Sequence, residues 1–219
     1  MDQEPTTALS RDIVLAQALG IVNREGVECL TFRRLADALG VTPMAIYRHV
    51  ENKTDLLNGT LDLVMRQARV VDHDEPDWPD WMCETFVRMR NALLEQRGAL
   101  VLVLRWTTLG PQALAVIEEI LGRFAAAGFT RTAATELFSR LIIHTLGSAA
   151  LFAAILGQAP ELADEDERLR RVRAMFELLP GPEFPHVTSH ASELANMYQE
   201  EQFLTEIRRI TGTFTPVGG

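Results

Sequence analysis

Start and stop signals for helices recur along the whole chain and divide its 219 residues into segments of helical length. Thr42 followed by Pro43 is the sharpest start signal, because a threonine oxygen accepts a free amide and proline has no amide of its own to satisfy. Gly26 and Gly40 follow apolar residues spaced three and four apart, which is where helices end. Sustained alternation of apolar and polar residues is missing from the sequence. The sequence therefore predicts an all-α fold.

Four helices are predicted in the first 70 residues. Each begins after a side chain that accepts a free amide, and the last of these caps pairs Asn52 with Asp55 in a variant of the capping box. The second and third helices are short and meet at Gly40, where a left-handed residue reverses the chain within about four residues. The predicted spans are Ser10 to Gly26, Thr31 to Gly40, Thr42 to about His49, and Asn52 to about residue 70.

The acidic, proline-containing segment VDHDEPDWPD at 71–80 is typical of a domain boundary. We therefore divide the chain into domains at 1–70 and 71–219. The run from Ala99 to Leu104 suits a strand by residue type, but no second run pairs with it, so we assign a buried helix there. The second domain is predicted to be a helical bundle. Its helices are expected over about 79–97, 99–106, 111–127, 130–156, 161–179 and 189–210.

Charge is distributed unevenly along the sequence. The whole chain carries a formal net charge of −9, whereas residues 33–53 contain four basic and two acidic side chains. A positive segment in an acidic protein indicates a local contact with a polyanion such as DNA.

Composition also indicates the cellular compartment in which the protein works. Apolar runs such as 99–104 are much shorter than the roughly 20 residues that cross a bilayer, and no basic-then-apolar leader opens the sequence. Cys29 and Cys83 are too few for a disulfide scaffold or a four-thiolate zinc site. We expect a cytoplasmic protein with free thiols, no membrane contact, no metal and no cofactor.

Residues 31–53, TFRRLADALGVTPMAIYRHVENK, have the helix, glycine turn and second helix that place one helix in the major groove of DNA. The apolar positions that would form a small core are Leu35, Ala36, Leu39, Val41, Ile46 and Val50. The side chains left outside suit DNA in two ways. We expect phosphate contacts from side chains that can donate hydrogen bonds or positive charge: Arg33, Thr42, Tyr47, His49 and Lys53. Bases are contacted by Pro43, Met44 and Ala45 at thymine methyl groups, and Arg48 reaches guanine edges or a phosphate.

The stretch LTFRRLADALGVTPMAIYRHVENKTDLL resembles the DNA-binding domain of TetR-family transcriptional repressors, through its Tyr47-x-His49-Val50 and its Asn52-Lys53. The remainder resembles the tetracycline-repressor type of C-terminal domain, through EQRG at 95–98, GF at 128–129 and the long final helices. The resemblance implies a homodimer that binds a palindromic operator and is released when a small molecule moves the fourth helix. The positions that it assigns to DNA contact are Arg33, Thr42, Pro43, Met44, Tyr47, His49 and Lys53.

One departure from that pattern concerns the effector. Tetracycline repressors hold a magnesium–drug chelate with histidines on the fourth helix and near the start of the sixth, whereas the matching stretches here, MRQARV and ALVLVLRW, contain none. We therefore expect a different effector, hydrophobic or aromatic, in a mostly apolar pocket with one imidazole. The predicted lining residues are Trp81, Phe86, Met89, Leu104, Trp106, His144, Phe152 and Met175.

Several of these residues have a structural alternative. His49 suits a role in ordering the helix end as well as a phosphate contact, and His144 lies on an apolar helix face where core histidines are common. An ordinary helical hairpin inside a larger core is the alternative for 31–53 as a whole. Four apolar residues at helical spacing suit either the protein core or the wall of a ligand pocket: Met82, Phe86, Met89 and Leu93.

Two histidine-containing segments resemble metal sites only weakly. His186, His190 and Glu193 have a suggestive spacing without the HExxH order, and His186 precedes the predicted helix. The acidic segment 72–74 suits a solvated linker better than a metal site.

Three classes of function follow. The first is a ligand-responsive repressor that is dimeric through the apolar helices 130–156 and 189–210. The second is an enzyme, against which the sequence offers no nucleophile with a matching base and acid and no glycine-rich phosphate loop. The third is a helix-turn-helix adaptor that acts through protein contacts without an effector.

Overall fold

The computed structural model describes residues 8–75, 77–105, 109–158, 165–197 and 199–216. These ranges form α-helices and one short 3-10 helix, Val27–Cys29, with no strand among them. The prediction of an all-helical chain is confirmed. The helices are α1 Arg11–Glu25, α2 Phe32–Leu39, α3 Pro43–Tyr47, α4 Lys53–Gln67, α5 Trp78–Glu95, α6 Arg97–Leu104, α7 Pro111–Ala126, α8 Arg131–Gln158, α9 Glu165–Glu177, α10 Pro185–Ser189, α11 Ala191–Asn196 and α12 Glu200–Gly212.

Three of the four predicted caps at the amino end are formed. The side chains of Ser10, Thr31 and Asn52 each accept a hydrogen bond from the backbone amide three residues later, at 3.3, 3.0 and 2.9 Å. Helix α3 starts at Pro43, directly after Thr42, as predicted, but the predicted capping bond to the Thr42 side chain is not formed. The Ala45 amide, which would donate to that hydroxyl, donates instead to the Thr42 carbonyl at 3.0 Å.

The turn between α2 and α3 depends on a left-handed glycine. Gly40 has φ 66° and ψ 30°, and its amide donates back to the carbonyls of Ala36 and Asp37. The Val41 amide also donates to the Ala36 carbonyl, at 3.1 Å, which completes a Schellman-type ending. Helix α3 ends at Tyr47 rather than near His49, because the His49 amide closes a tighter turn onto the Ile46 carbonyl at 2.9 Å.

The first of two compact units comprises Met1–His73 and Asn91–Ile120. Its core is built from α1, α2, α3, α4 and α6, and the residues of α3 and α6 in that core are Ile46 and Leu102. The predicted core positions Leu35, Ala36, Ile46 and Val50 are buried, and Leu39 and Val41 pack against them half-buried. Because α6 packs on α1 and α4, this unit extends beyond the segment 1–70. The division of the chain into domains 1–70 and 71–219 stays a prediction.

The second unit comprises Asp74–Arg90 and Leu121–Gly219. Large side chains fill its core, and Trp81, Phe86, Phe124 and Phe203 are all almost fully buried. Trp78 meets Phe129 edge to face with ring centroids 4.9 Å apart. Such aromatic contacts add directional stabilisation to the burial of apolar surface.

The helix predicted over 189–210 is wrong as a single element, since α10, α11 and α12 replace it. Near residue 190 the His186 carbonyl is shared, because it accepts the His190 amide at 3.2 Å and also faces side-chain groups. Ser189 Oγ donates to the His186 carbonyl at 3.1 Å, and His190 Nδ1 lies 2.8 Å from the same oxygen. Local bonds of this kind compete with helical ones. Gln199, with φ −72° and ψ 152°, is extended and starts α12 afresh.

Helix α8 carries a longer apolar stretch than the sequence analysis recognised. Residues Arg131–Ile155 are long and apolar enough to cross a membrane by length and composition alone, and an 18-residue stretch within them has mean hydropathy 1.5 and is 17% buried. The expectation based on 99–104 therefore missed this segment, because its few charged residues are spread out. An exposed apolar helix requires a cover, and Ile143 and Leu151 are its most exposed large side chains.

Candidate nucleic-acid interface

All nine residues predicted to contact DNA lie in the first unit, around α3. The helix is divided sharply between a buried and an outer face: Ile46 is fully buried, whereas Met44 is 70% exposed. An outward Met44 at the amino end of a short helix is the arrangement in which a side chain reaches base edges. The exposed residues are Arg33, Thr42, Pro43, Met44, Tyr47 and Arg48, and the half-buried ones are Ala45, His49 and Lys53.

Tyr47 is held by a contact that the sequence analysis missed. Its ring stacks on Phe32, with centroids 4.4 Å apart and an interplanar angle of 8°. The stack joins the end of α3 to the start of α2 and leaves Tyr47 49% exposed. Phe32 therefore orients a side chain predicted to contact a phosphate. The signal was an aromatic residue placed directly after the Thr31 cap.

Arg11 on α1 fixes the end of α3 against the start of α4. It donates to the His49 carbonyl at 2.5 Å and to the two Asp55 carboxylate oxygens at 2.6 and 3.0 Å. Asp55 also accepts the Glu51 amide at 2.9 Å. The hydrogen bond from Arg11 holds the pKa of Asp55 below its usual range. This charge-assisted network positions α3. Sequence reasoning missed it because Arg11 lies 38 residues before His49 and 44 residues before Asp55.

The basic residues of this surface differ in whether a neighbouring carboxylate already neutralises their charge. Arg34 forms a two-bond ion pair with Glu25, at 2.6 and 3.0 Å. Arg33 and Arg48 make no ion pair within the described part of the chain. Burial lowers the pKa of Lys53, while the nearby carboxylate of Glu28 acts in the opposite direction. The surface therefore offers Arg33, Arg48 and Lys53 to an anionic partner.

The predicted effector-lining residues are distributed over both units. Trp81, Phe86 and Met89 are buried in the second unit, whereas Leu104 belongs to the first unit and is exposed. The four apolar residues at helical spacing, which include Phe86 and Met89, are all buried, and Trp106 lies outside the described residues. Three further residues lie in the second unit, with His144 and Phe152 half-buried and Met175 exposed. Their assembly into one pocket stays a prediction.

His144 stands in an aromatic and partly charged environment. Its ring stacks on Phe203 with centroids 5.3 Å apart, and its Nε2 is buried without a hydrogen-bond partner in the described residues. Burial lowers the pKa of His144. Arg90, which the sequence analysis missed, is buried nearby, lies 5.1 Å from the Phe203 ring centre and donates to Ser148 at 3.0 Å.

The histidine pair weighed as a metal site makes other contacts. His190 Nδ1 faces the His186 carbonyl and, at 3.1 Å, the Ser189 hydroxyl. Among the residues that the structure describes, no three His, Cys, Asp or Glu side chains come together in a group able to hold a metal ion.

Both the N-terminal and the C-terminal part of the chain match models of known protein families. Residues 14–60 match the model for bacterial regulatory proteins of the tetR family. Residues 72–210 match the model for the tetracyclin repressor-like C-terminal domain. The chain is 31% identical over 162 residues to the class C tetracycline repressor protein of Escherichia coli, covering 73% of this chain and 71% of that protein. The alignment with another curated relative spans 59% of that relative.

Solved structures agree with this fold. ActR of Streptomyces coelicolor, solved in complex with actinorhodin, has a TM-score of 0.75 at 21% identity over 95% of this chain and 96% of its own. BioQ, solved with its double-stranded DNA operator, has a TM-score of 0.55 at 28% identity over 69% of this chain and 90% of its own.

Proposed function

Because the chain belongs to the TetR family of bacterial transcriptional regulators, we propose that it is a repressor that binds operator DNA as a homodimer. A small, mostly hydrophobic effector releases it. The observation that carries the proposal is the outer face of α3, where Met44 and Tyr47 are exposed above a helix whose inner face is buried. We assign the protein no catalytic role and place its action in the cytoplasm, with the operator.

The roles of the DNA-facing residues follow from their positions. Pro43, Met44 and Ala45 begin α3 and contact thymine methyl groups in the major groove. Arg48 contacts a guanine edge or a phosphate. The remaining proposed contacts fix the protein on the sugar–phosphate backbone and carry no sequence information: Arg33, Thr42, Tyr47, His49 and Lys53. BioQ, which shares this fold, was solved on duplex DNA.

Dimerisation is proposed through α8 and the helices that replace the predicted 189–210 segment. Ile143, Gly147 and Leu151 lie four residues apart on the uncovered face of α8, and a Cβ added at Gly147 would meet nothing. Helices meet closely where a small residue lies between large ones. In a two-fold symmetric dimer, the two copies of α3 bind half-sites about 34 to 36 Å apart, or a multiple of this distance.

The effector is proposed to bind in the C-terminal part of the chain, within 71–219. Large apolar side chains dominate its core, and ActR, of the same fold, was solved with actinorhodin. An effector that binds the free protein more tightly than the DNA-bound form lowers operator affinity by that ratio. The proposed contacts remain Trp81, Phe86, Met89, Leu104, Trp106, His144, Phe152 and Met175.

Replacing Lys53 by alanine is expected to weaken binding to every duplex sequence and to flatten its salt dependence. Each dimer loses two phosphate contacts, so the slope of log K against log salt falls by about two. Fluorescence anisotropy over a salt series measures both quantities. Arg131→Ala, which removes an exposed arginine from α8, is the matched control and leaves the slope unchanged. A protein-binding adaptor would show neither a slope nor a change in it.

Apolar aromatic ligands are expected to change the fluorescence of the chain's three tryptophans in a saturable way that does not depend on magnesium. The same ligand concentrations should release labelled operator DNA. Titration with and without magnesium measures both effects. Tetracycline binding that requires magnesium would contradict the proposed effector class.

A further inference from the structure

A groove in the first unit borders the proposed DNA-contacting surface and shares Lys53 with it. It has a volume of about 260 Å³ and lies between α4, α6 and the 3-10 helix. All of its lining residues belong to one compact unit. They are Val27, Glu28, Lys53, Thr54, Leu57, Asn58, Leu61, Leu102 and Arg105.

The floor of this groove is apolar. Val27, Leu61 and Leu102 are nearly buried, and Leu57 packs half-buried against the same core. An apolar floor with room above it favours the hydrocarbon part of a small molecule.

The rim of the groove is charged, with an excess of cations. Arg105 donates to the Glu28 carboxylate in an ion pair between two exposed side chains. This pair leaves Lys53, the chain's only lysine, as the surplus positive charge. Lys53 and Glu28 are close enough for each to influence the pKa of the other. A half-buried cation that is only partly neutralised favours an anion beside it.

We propose that this groove binds a small monocarboxylate with an apolar body, its carboxylate beside Lys53 and Arg105 and its hydrocarbon on Leu57, Leu61 and Leu102. The ligand is an aryl or medium-chain carboxylic acid in its ionised form. Because Lys53 is also a proposed phosphate contact, the bound acid competes with DNA for that charge. This last consequence rests on the proposed function, whereas the binding site does not.

Calorimetric titration of the full chain with octanoate and with 1-octanol, in the absence of DNA, tests the site. Octanoate is expected to bind with a stoichiometry of one per chain, and octanol, which has the same tail without the charge, about tenfold more weakly or worse. Lys53→Gln should weaken octanoate binding by about tenfold. Glu28→Gln should strengthen it, because Arg105 then turns to the ligand. Neither variant should alter octanol binding.

Arg24→Gln is the matched control, since it removes an exposed cation from the same unit outside the groove and should leave octanoate binding unchanged. Opposite effects of Lys53→Gln and Glu28→Gln cannot arise from loss of folding. Absence of saturable octanoate binding, or binding that is identical in both variants, would overturn the proposal. A second arm measures operator affinity with octanoate present. Should the chain bind no DNA at all, the first arm still decides whether the groove binds acids.

Discussion

Replacing Met44 by glutamate is expected to weaken specific operator binding strongly without loss of helical content. Met44 is 70% exposed at the second position of α3, and its side chain supports no core contact that the fold needs. A carboxylate there is brought against the phosphates and the acceptor edges of the major groove. Repulsion of about 1.4 kcal/mol at each α3 weakens binding about tenfold. Because the dimer has two copies of α3, the expected loss of affinity is about 100-fold. Electrophoretic shift on an operator fragment measures it.

The matched control is Met44→Leu, which keeps an apolar side chain of similar volume and should retain most of the affinity. Circular dichroism and thermal unfolding of both variants should match those of the parent chain, since surface substitutions change stability little. Operator affinity unchanged in Met44→Glu would show that the outer face of α3 does not meet DNA.

Replacing Leu151 by arginine is expected to convert the dimer into a monomer at micromolar concentration. Leu151 is 51% exposed on α8, eight residues after Ile143, which is 67% exposed. Because the interface is two-fold symmetric, one substitution places two unpaired cations against apolar surface. An uncompensated buried charge costs about 3 kcal/mol or more. Multi-angle light scattering gives the mass directly.

The loss of dimerisation should also lower operator affinity by at least about 100-fold, since a single copy of α3 contacts one half-site. Leu114→Arg is the matched control, because Leu114 on α7 is 53% exposed and gains the same charge. That variant should remain dimeric. A Leu151→Arg protein of dimeric mass would place the interface elsewhere.

Local signals account for what the sequence predicted well. The caps at Ser10, Thr31 and Asn52 and the left-handed Gly40 depend on bonds within three to five residues, so they are visible in a short window. The separation of Ile46 from Met44 follows equally from helical periodicity.

Long-range contacts account for what the sequence could not predict. Arg11 reaches residues 38 and 44 positions away, and α6 joins the core of the first unit through Leu102. The separation of α11 from α12 involves the extended backbone of Gln199, which apolar spacing does not register. The apolar character of α8 is visible in the sequence, but which of its large side chains stay exposed, such as Ile143 and Leu151, depends on packing against distant parts of the chain.

Selection of bound fragments from a random duplex pool, followed by footprinting and the mass of the complex, decides whether the protein binds DNA as a symmetric dimer. We expect a palindromic site with two protected half-sites about one helical turn apart, or a multiple of it, and two chains per duplex. No duplex retained at low ionic strength, or a single asymmetric footprint under one chain, would contradict this expectation.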